Sequence, residues 1–164
     1  MDAIVTIGYE QASLDAFIST LQRAGVTTLL DVRELPVSRR KGFSKRSLSD
    51  ALAAAGIAYR HERALGSPRD IRHQLHADGD YADFFRQFST YLREQQPLLK
   101  ELATELAGTV ALMCFERDPA TCHRSVVAKE LEALTRLKTK HLGVHDVPAH
   151  SRASLGARQS VSPA

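Results

Sequence analysis

The 164-residue chain has no tryptophan, two methionines and only two cysteines, Cys114 and Cys122. Two cysteines cannot build the disulfide framework of a small secreted domain. No apolar run approaches the roughly 20 residues that a membrane span requires. The first residues lack the basic-then-apolar order of a secretory signal, so a cytoplasmic protein with reduced thiols and no membrane partner is expected. Neither a G-x-x-x-x-G-K-[ST] nor a G-x-G-x-x-G loop occurs, which argues against a bound nucleoside triphosphate or dinucleotide. The Cys-x5-Arg loop of cysteine phosphatases is missing too, because the sixth residue after Cys114 is Ala120. Zinc held by Cys114, Cys122 and His123 would lack any C-x-x-C or H-x3-H pairing, so no metal or cofactor is expected.

Charged residues make up 25% of the chain and hydrophobic residues 43%, which is ordinary for one soluble domain with a core of its own. The net charge is only +3, but it is unevenly spread. Arg39, Arg40, Lys41, Lys45 and Arg46 follow one another with no acidic residue between, a local patch suited to phosphate-bearing partners.

Four short apolar segments read as strands: 3–8, 26–32, 57–61 and 109–115. Helical patterns lie between and after them, at 14–24 behind the N-cap Ser13, 47–55, 81–92, 97–106 and 125–137. Residues 33–45 and 63–80 read as irregular, punctuated by Pro36, Gly42, Gly66, Pro68 and Gly79. The expected fold is a single α/β domain over residues 1–142. It has a mostly parallel sheet of four or more strands and helices on both faces. Residues 143–164 read as a mobile tail.

In such a sheet, ligands bind outside the carboxyl ends of the strands. That rim collects Tyr9 and Glu10 after the first strand, Asp31 and Arg33 at the second, and Cys114 and Glu116 at the fourth. His123 and Arg124 open the last helix beside them, where backbone N–H groups make an anion site. Asp31 and Glu116 are the candidate catalytic carboxylates. Tyr9, Phe43, Tyr59, Cys114 and His123 are candidates for holding a substrate, the aromatics by stacking. Arg33, Ser38, Arg39, Arg40, Lys45, Arg46 and Arg124 are candidates for phosphate contact.

The motifs Thr6-Ile7-Gly8-Tyr9-Glu10, Asp31-Val32-Arg33, Pro36 with Ser38-Arg39, Gly42-Phe43, Leu65-Gly66 and Cys114-x-Glu116-x7-Arg124 occur in order. With Cys122-His123-Arg124 they resemble the family of domain of unknown function 488 (DUF488), over about residues 3 to 135. Tyr9-Glu10 stands where that family often carries His-Ser. The resemblance implies an α/β fold and a role in repair of alkylated DNA, as a monofunctional glycosylase that excises bases such as N7-methylguanine from duplex DNA. Such a base is a cation and a good leaving group. An enzyme must extrude the nucleotide, stack on the base and activate water or stabilise an oxocarbenium-like sugar. Lys45 would serve a bifunctional version through a Schiff base. Two alternatives stay open: a hydrolase or transferase of small phosphorylated or nucleotide substrates built on a cysteine and His123, and a non-catalytic nucleic-acid-binding module.

Overall fold

A computed structural model describes residues 1–145. Five parallel strands form one sheet in the order β3-β2-β4-β1-β5. They are β1 (Ala3–Gly8), β2 (Thr28–Asp31), β3 (Ala58–His61), β4 (Thr109–Cys114) and β5 (Thr139–His141). The α-helices among the described residues are α1 (Leu14–Arg23), α2 (Lys45–Ala54), α3 (Arg69–Asp78), α4 (Tyr81–Arg93), α5 (Gln96–Glu105) and α6 (Arg124–Thr135), with short 3-10 turns at Arg63–Leu65 and Pro119–Thr121. The α/β architecture expected from the sequence is the one observed.

Strand periodicity explains the layers. Alternate residues of a strand face opposite sides of the sheet. Ile4, Leu30, Val110 and Leu112 pack with Phe88, Leu92, Leu99, Leu102, Val127 and Leu131 of α4, α5 and α6. Val5, Ile7, Leu29, Ala111 and Met113 pack with Phe17, Leu21, Leu48 and Leu52 of α1 and α2. Ser13 caps α1 as expected, its hydroxyl accepting from the Ala16 N–H at 3.2 Å.

Two elements depart from the sequence reading. Helix α3 occupies a stretch read as irregular. Pro68 stands just before its first residue and Gly79 ends it in the left-handed region at φ 66°. These two residues are boundary signals of a helix rather than evidence against one. None of its residues is fully buried, so the apolar face that would have marked it is nearly absent. Strand β5 is only Thr-Lys-His, too short and polar to register as a strand, and it is held by pairing with β1. Beyond it, Val144 is buried and its carbonyl accepts from Arg117 at 2.8 Å. The remainder of the expected tail, 146–164, lies outside the described residues. No described helix is long and apolar enough to cross a membrane.

Register brings the rim together. Gly8 lies opposite Cys114 and Asp31 opposite Met113, so β1, β2 and β4 end at one level. Past those ends the chain keeps pairing: Tyr9 and Glu10 donate to the carbonyls of Cys114 and Phe115 at 3.3 and 2.8 Å. A Cβ on Gly8 would lie 1.9 Å from the Glu116 carbonyl oxygen. Gly8→Ala must therefore push the 116–117 backbone off β1, an overpacking expected to cost about 1–3 kcal/mol. A lower denaturation midpoint checks this, and an unchanged midpoint refutes it. Gly66 has the same function beneath β2, where a Cβ would meet the Glu34 nitrogen at 2.1 Å.

Candidate functional site

At the carboxyl edge of the sheet a cavity of about 960 Å³ opens, within the range of small-molecule and cofactor sites. The segment after β1, the loop between β2 and α2, helix α3 and the turn after β4 form its walls.

The first layer beneath it is a closed network. Asp31 is completely buried and meets Arg33 through two parallel bonds, from Nε at 2.9 Å and from Nη2 at 2.7 Å. Tyr59 donates its hydroxyl to the same carboxylate at 2.6 Å. Arg33 spends Nη1 on the Tyr9 hydroxyl at 3.1 Å and the Phe43 carbonyl at 2.7 Å, with its guanidinium 5.3 Å from the Tyr9 ring centre. Burial works against the Arg33 charge, but the hydrogen bond and charge of Asp31 outweigh it and raise its pKa. Burial, then the bond to Asp31, raises the Tyr59 phenol. Phe43 is fully buried, stacked on Tyr9 at 4.6 Å.

These placements revise part of the expected site. Asp31 has its lone pairs committed and no exposure, so it is a structural anchor rather than a working carboxylate. Arg33 reaches the cavity wall, but it is 5% exposed and its guanidinium is engaged by Asp31, Tyr9 and Phe43, so its charge is balanced inside the protein rather than offered to a phosphate. Tyr9 lies in the floor with one face stacked on Phe43 and the Arg33 guanidinium near its ring, while Phe43 and Tyr59 support it from behind and do not line the cavity. Arg124 is also completely buried, donating to the carbonyls of Glu116 and Arg117. It fixes the turn that carries Glu116 and lies outside the cavity walls, its buried Nε without a hydrogen-bond partner among the described residues. Lys45 and Arg46 lie exposed on the first turn of α2, away from the cavity walls. Ser38, Arg39 and Arg40 do line the cavity, Arg40 also donating to the Ala12 carbonyl. Ser38 Oγ accepts from the Arg40 N–H at 3.0 Å and its own N–H donates to Ser44 Oγ at 3.1 Å, which holds the loop in shape.

Glu116 stands in the cavity wall, half-buried. Burial, followed by the charge of Cys122, pushes its carboxyl up to about 7. The cavity's other carboxylates are engaged: Glu34 pairs with Arg72 at 3.2 Å, and Glu10 accepts from the Arg117 N–H at 3.0 Å. Beside Glu116, Cys114 and His123 also face the cavity, while Cys122 lies just behind. The Cys114 sulfur is 3.5 Å from Glu116 Oε2 and 3.7 Å from His123 Nδ1. A hydrogen bond to Cys122 and burial raise the Cys114 thiol. Burial opposes ionisation of Cys122, but the Cys114 and His123 hydrogen bonds prevail and lower it. His123 is raised in turn, burial being outweighed by its bond to Cys122.

The sequence reading missed several wall positions, Arg72, His76, Phe115, Leu35 and Val37 among them. Arg72 and His76 came with the unread helix α3. Phe115, passed over as the end of a strand, is 44% exposed and packs edge-on against Tyr9. It is the aromatic ring that the cavity presents to solvent beside Leu35 (55% exposed) and Val37 (72% exposed).

Neither a curated protein nor a solved structure matches this chain. The model of one family, domain of unknown function DUF488, matches residues 13–131. That span holds the Asp31–Arg33 anchor, the basic loop, Gly66 and the Cys114–Arg124 turn, so the chain belongs to the DUF488 family.

Proposed function

We propose that the protein hydrolyses the N-glycosidic bond of alkylated, cationic purines in duplex DNA, with Glu116 as the carboxylate that activates water. One observation carries this reading. A nucleotide-sized cavity has a carboxyl free of ion pairs in its wall and, at its mouth, exposed apolar side chains next to arginines. Enzymes that act on a base must take it out of the stack, and proteins that unstack DNA do so with apolar wedges flanked by basic residues. Leu35 and Val37 adjoin Arg39 and Arg40 on one loop, in that arrangement. Phe115 offers the extruded cationic base a ring edge and face.

In the reaction, Glu116 takes a proton from water and the oxygen bonds to C1′ of the sugar. The C1′–N9 bond breaks with its electron pair going to the base, which leaves neutral because it was a cation. The proton on Glu116 passes to solvent. No amine is required, and Lys45 lies away from the cavity walls, which favours the monofunctional form.

Incubation with duplex DNA methylated at N7 of guanine should release the free base. No release, together with equal DNA binding by wild type and Glu116→Gln, would leave a binding module in its place. Arg39→Ala is expected to weaken binding alike for all sequences and to reduce the slope of log affinity against log salt by about 1. An unchanged slope removes Arg39 from the interface. The cysteine-dependent alternative has its own support, since the Cys114 thiol and His123 face the same cavity. Activity abolished by thiol alkylation yet retained by Glu116→Gln would favour it.

A further inference from the structure

We infer that Cys114, Cys122 and His123 form a three-ligand zinc site whose open fourth position faces the cavity beside Glu116. The ligand atoms of the three residues all lie within 4.8 Å of one another, and all three residues are buried. With Zn–S near 2.3 Å and Zn–N near 2.0–2.1 Å, a tetrahedral ion sets sulfur and nitrogen about 3.6 Å apart. The Cys114 sulfur and His123 Nδ1 are 3.7 Å apart.

The histidine is prepared for that function. His123 Nε2 lies 2.7 Å from the Val32 carbonyl, which can only accept, so the ring proton belongs on Nε2. Nδ1 is left with its lone pair turned to the sulfurs. Metal-binding histidines are oriented in this way, by a carbonyl or carboxylate on the far nitrogen.

The missing C-x-x-C pairing no longer counts against the site. That spacing belongs to ligands supplied by one short loop. Here the fold supplies Cys114 from the end of β4 and the other two from the residue pair before α6, with the Pro119–Thr121 turn closing the gap. Two sulfurs and one nitrogen in tetrahedral array suit zinc among the common divalent ions.

The open position follows from exposure. Cys114 and His123 line the cavity and Cys122 does not, so an ion held by all three has its free face toward the cavity. Glu116 Oε2 stands 3.5 Å from the Cys114 sulfur, close enough to take a proton from water on that face. Zinc deaminases divide labour similarly, with a Cys/His ligand set and a glutamate that is not itself a ligand. The metal site stands whatever the substrate; the activation of water rests on the reading proposed above.

Cobalt(II) tests the site in the whole protein, purified reduced and stripped with chelator. One equivalent should bind with tetrahedral visible bands and thiolate-to-metal charge transfer, and zinc should displace it. Cys114→Ser and Cys122→Ser should each remove about half of the charge-transfer intensity, and His123→Ala should weaken binding at least tenfold. Glu116→Gln should still bind. Because a buried variant can misfold, wild type supplies a second readout: zinc should protect both thiols from alkylation. Absent charge transfer, or thiols alkylated equally fast with and without zinc, overturns the site. Zinc binding without base release would overturn the glycosylase reading alone. Full-rate base release by metal-free protein would overturn the metal's part in water activation.

Discussion

Asp31→Ala is expected to cost about 3–5 kcal/mol, the loss that follows when one partner of a buried ion pair is removed. Domains of this size are stable by only about 5–15 kcal/mol, so the variant should be largely unfolded on mild heating. The reason lies in what remains. Arg33 is 5% exposed and would keep its charge with no carboxylate against it. Tyr59 would lose the acceptor of its hydroxyl, and Tyr9 and Phe43 would lie over a cation with no counter-charge. Changing Asp31 and Arg33 together to apolar residues of similar volume should recover much of the loss, because a buried pair and a packed apolar pair are often close in stability. Denaturant midpoints at a common slope measure both changes. A stable Asp31→Ala protein that has lost activity would return Asp31 to the reaction.

Glu116→Gln should leave the fold intact and lower base release by about 10²–10⁴-fold, the usual contribution of a positioned acid–base group. The carboxyl is half-buried and meets the Cys114 sulfur at 3.5 Å, with Cys122 and His123 close enough to act on its charge. Glutamine keeps the size and that contact but cannot take a proton. DNA affinity and melting temperature should therefore stay within error of wild type while single-turnover release falls. An equal fall in affinity would mean that Glu116 positions the substrate. Undiminished release would pass the chemistry to Cys114 and His123.

The two carboxylates looked equivalent in the sequence because each ends a strand. The three-dimensional fact that separates them is the side of the rim each faces. Asp31 turns inward, and an arginine two residues later folds back on it with matched geometry. Sequence spacing cannot distinguish that fold-back from a side chain held out to solvent. Phe43 has the same history: its place in a basic loop suggested stacking on a base, yet the loop tucks it under Tyr9. The first four strands were legible because β-branched and aliphatic runs stop at glycine or at a charge. The α3 helix was not, since its core-facing residues are few and its flanking proline and glycine resemble loop punctuation. That Cys114, Cys122 and His123 share a rim was legible from the strand end and the helix start, but the distances that let one ion meet all three depend on how β4 and α6 pack, which no local pattern encodes.

That sparsely buried α3 has a further consequence. It forms one cavity wall through Arg72, Leu75 and His76, is tied to the body by Arg72 to the Ser67 carbonyl and to Glu34, and gives the core no fully buried side chain. Exposed substitutions away from such ties usually shift stability by no more than about 0.5 kcal/mol. On the proposed reading, chemistry and choice of substrate would be lodged in separable parts. The carboxylate and thiols are fastened to the sheet, while the opposite wall can be rewritten residue by residue without endangering the fold. If the proposed reaction is the right one, a library confined to Leu75 and His76, the α3 wall residues outside those ties, is the economical place to look for altered lesion preference.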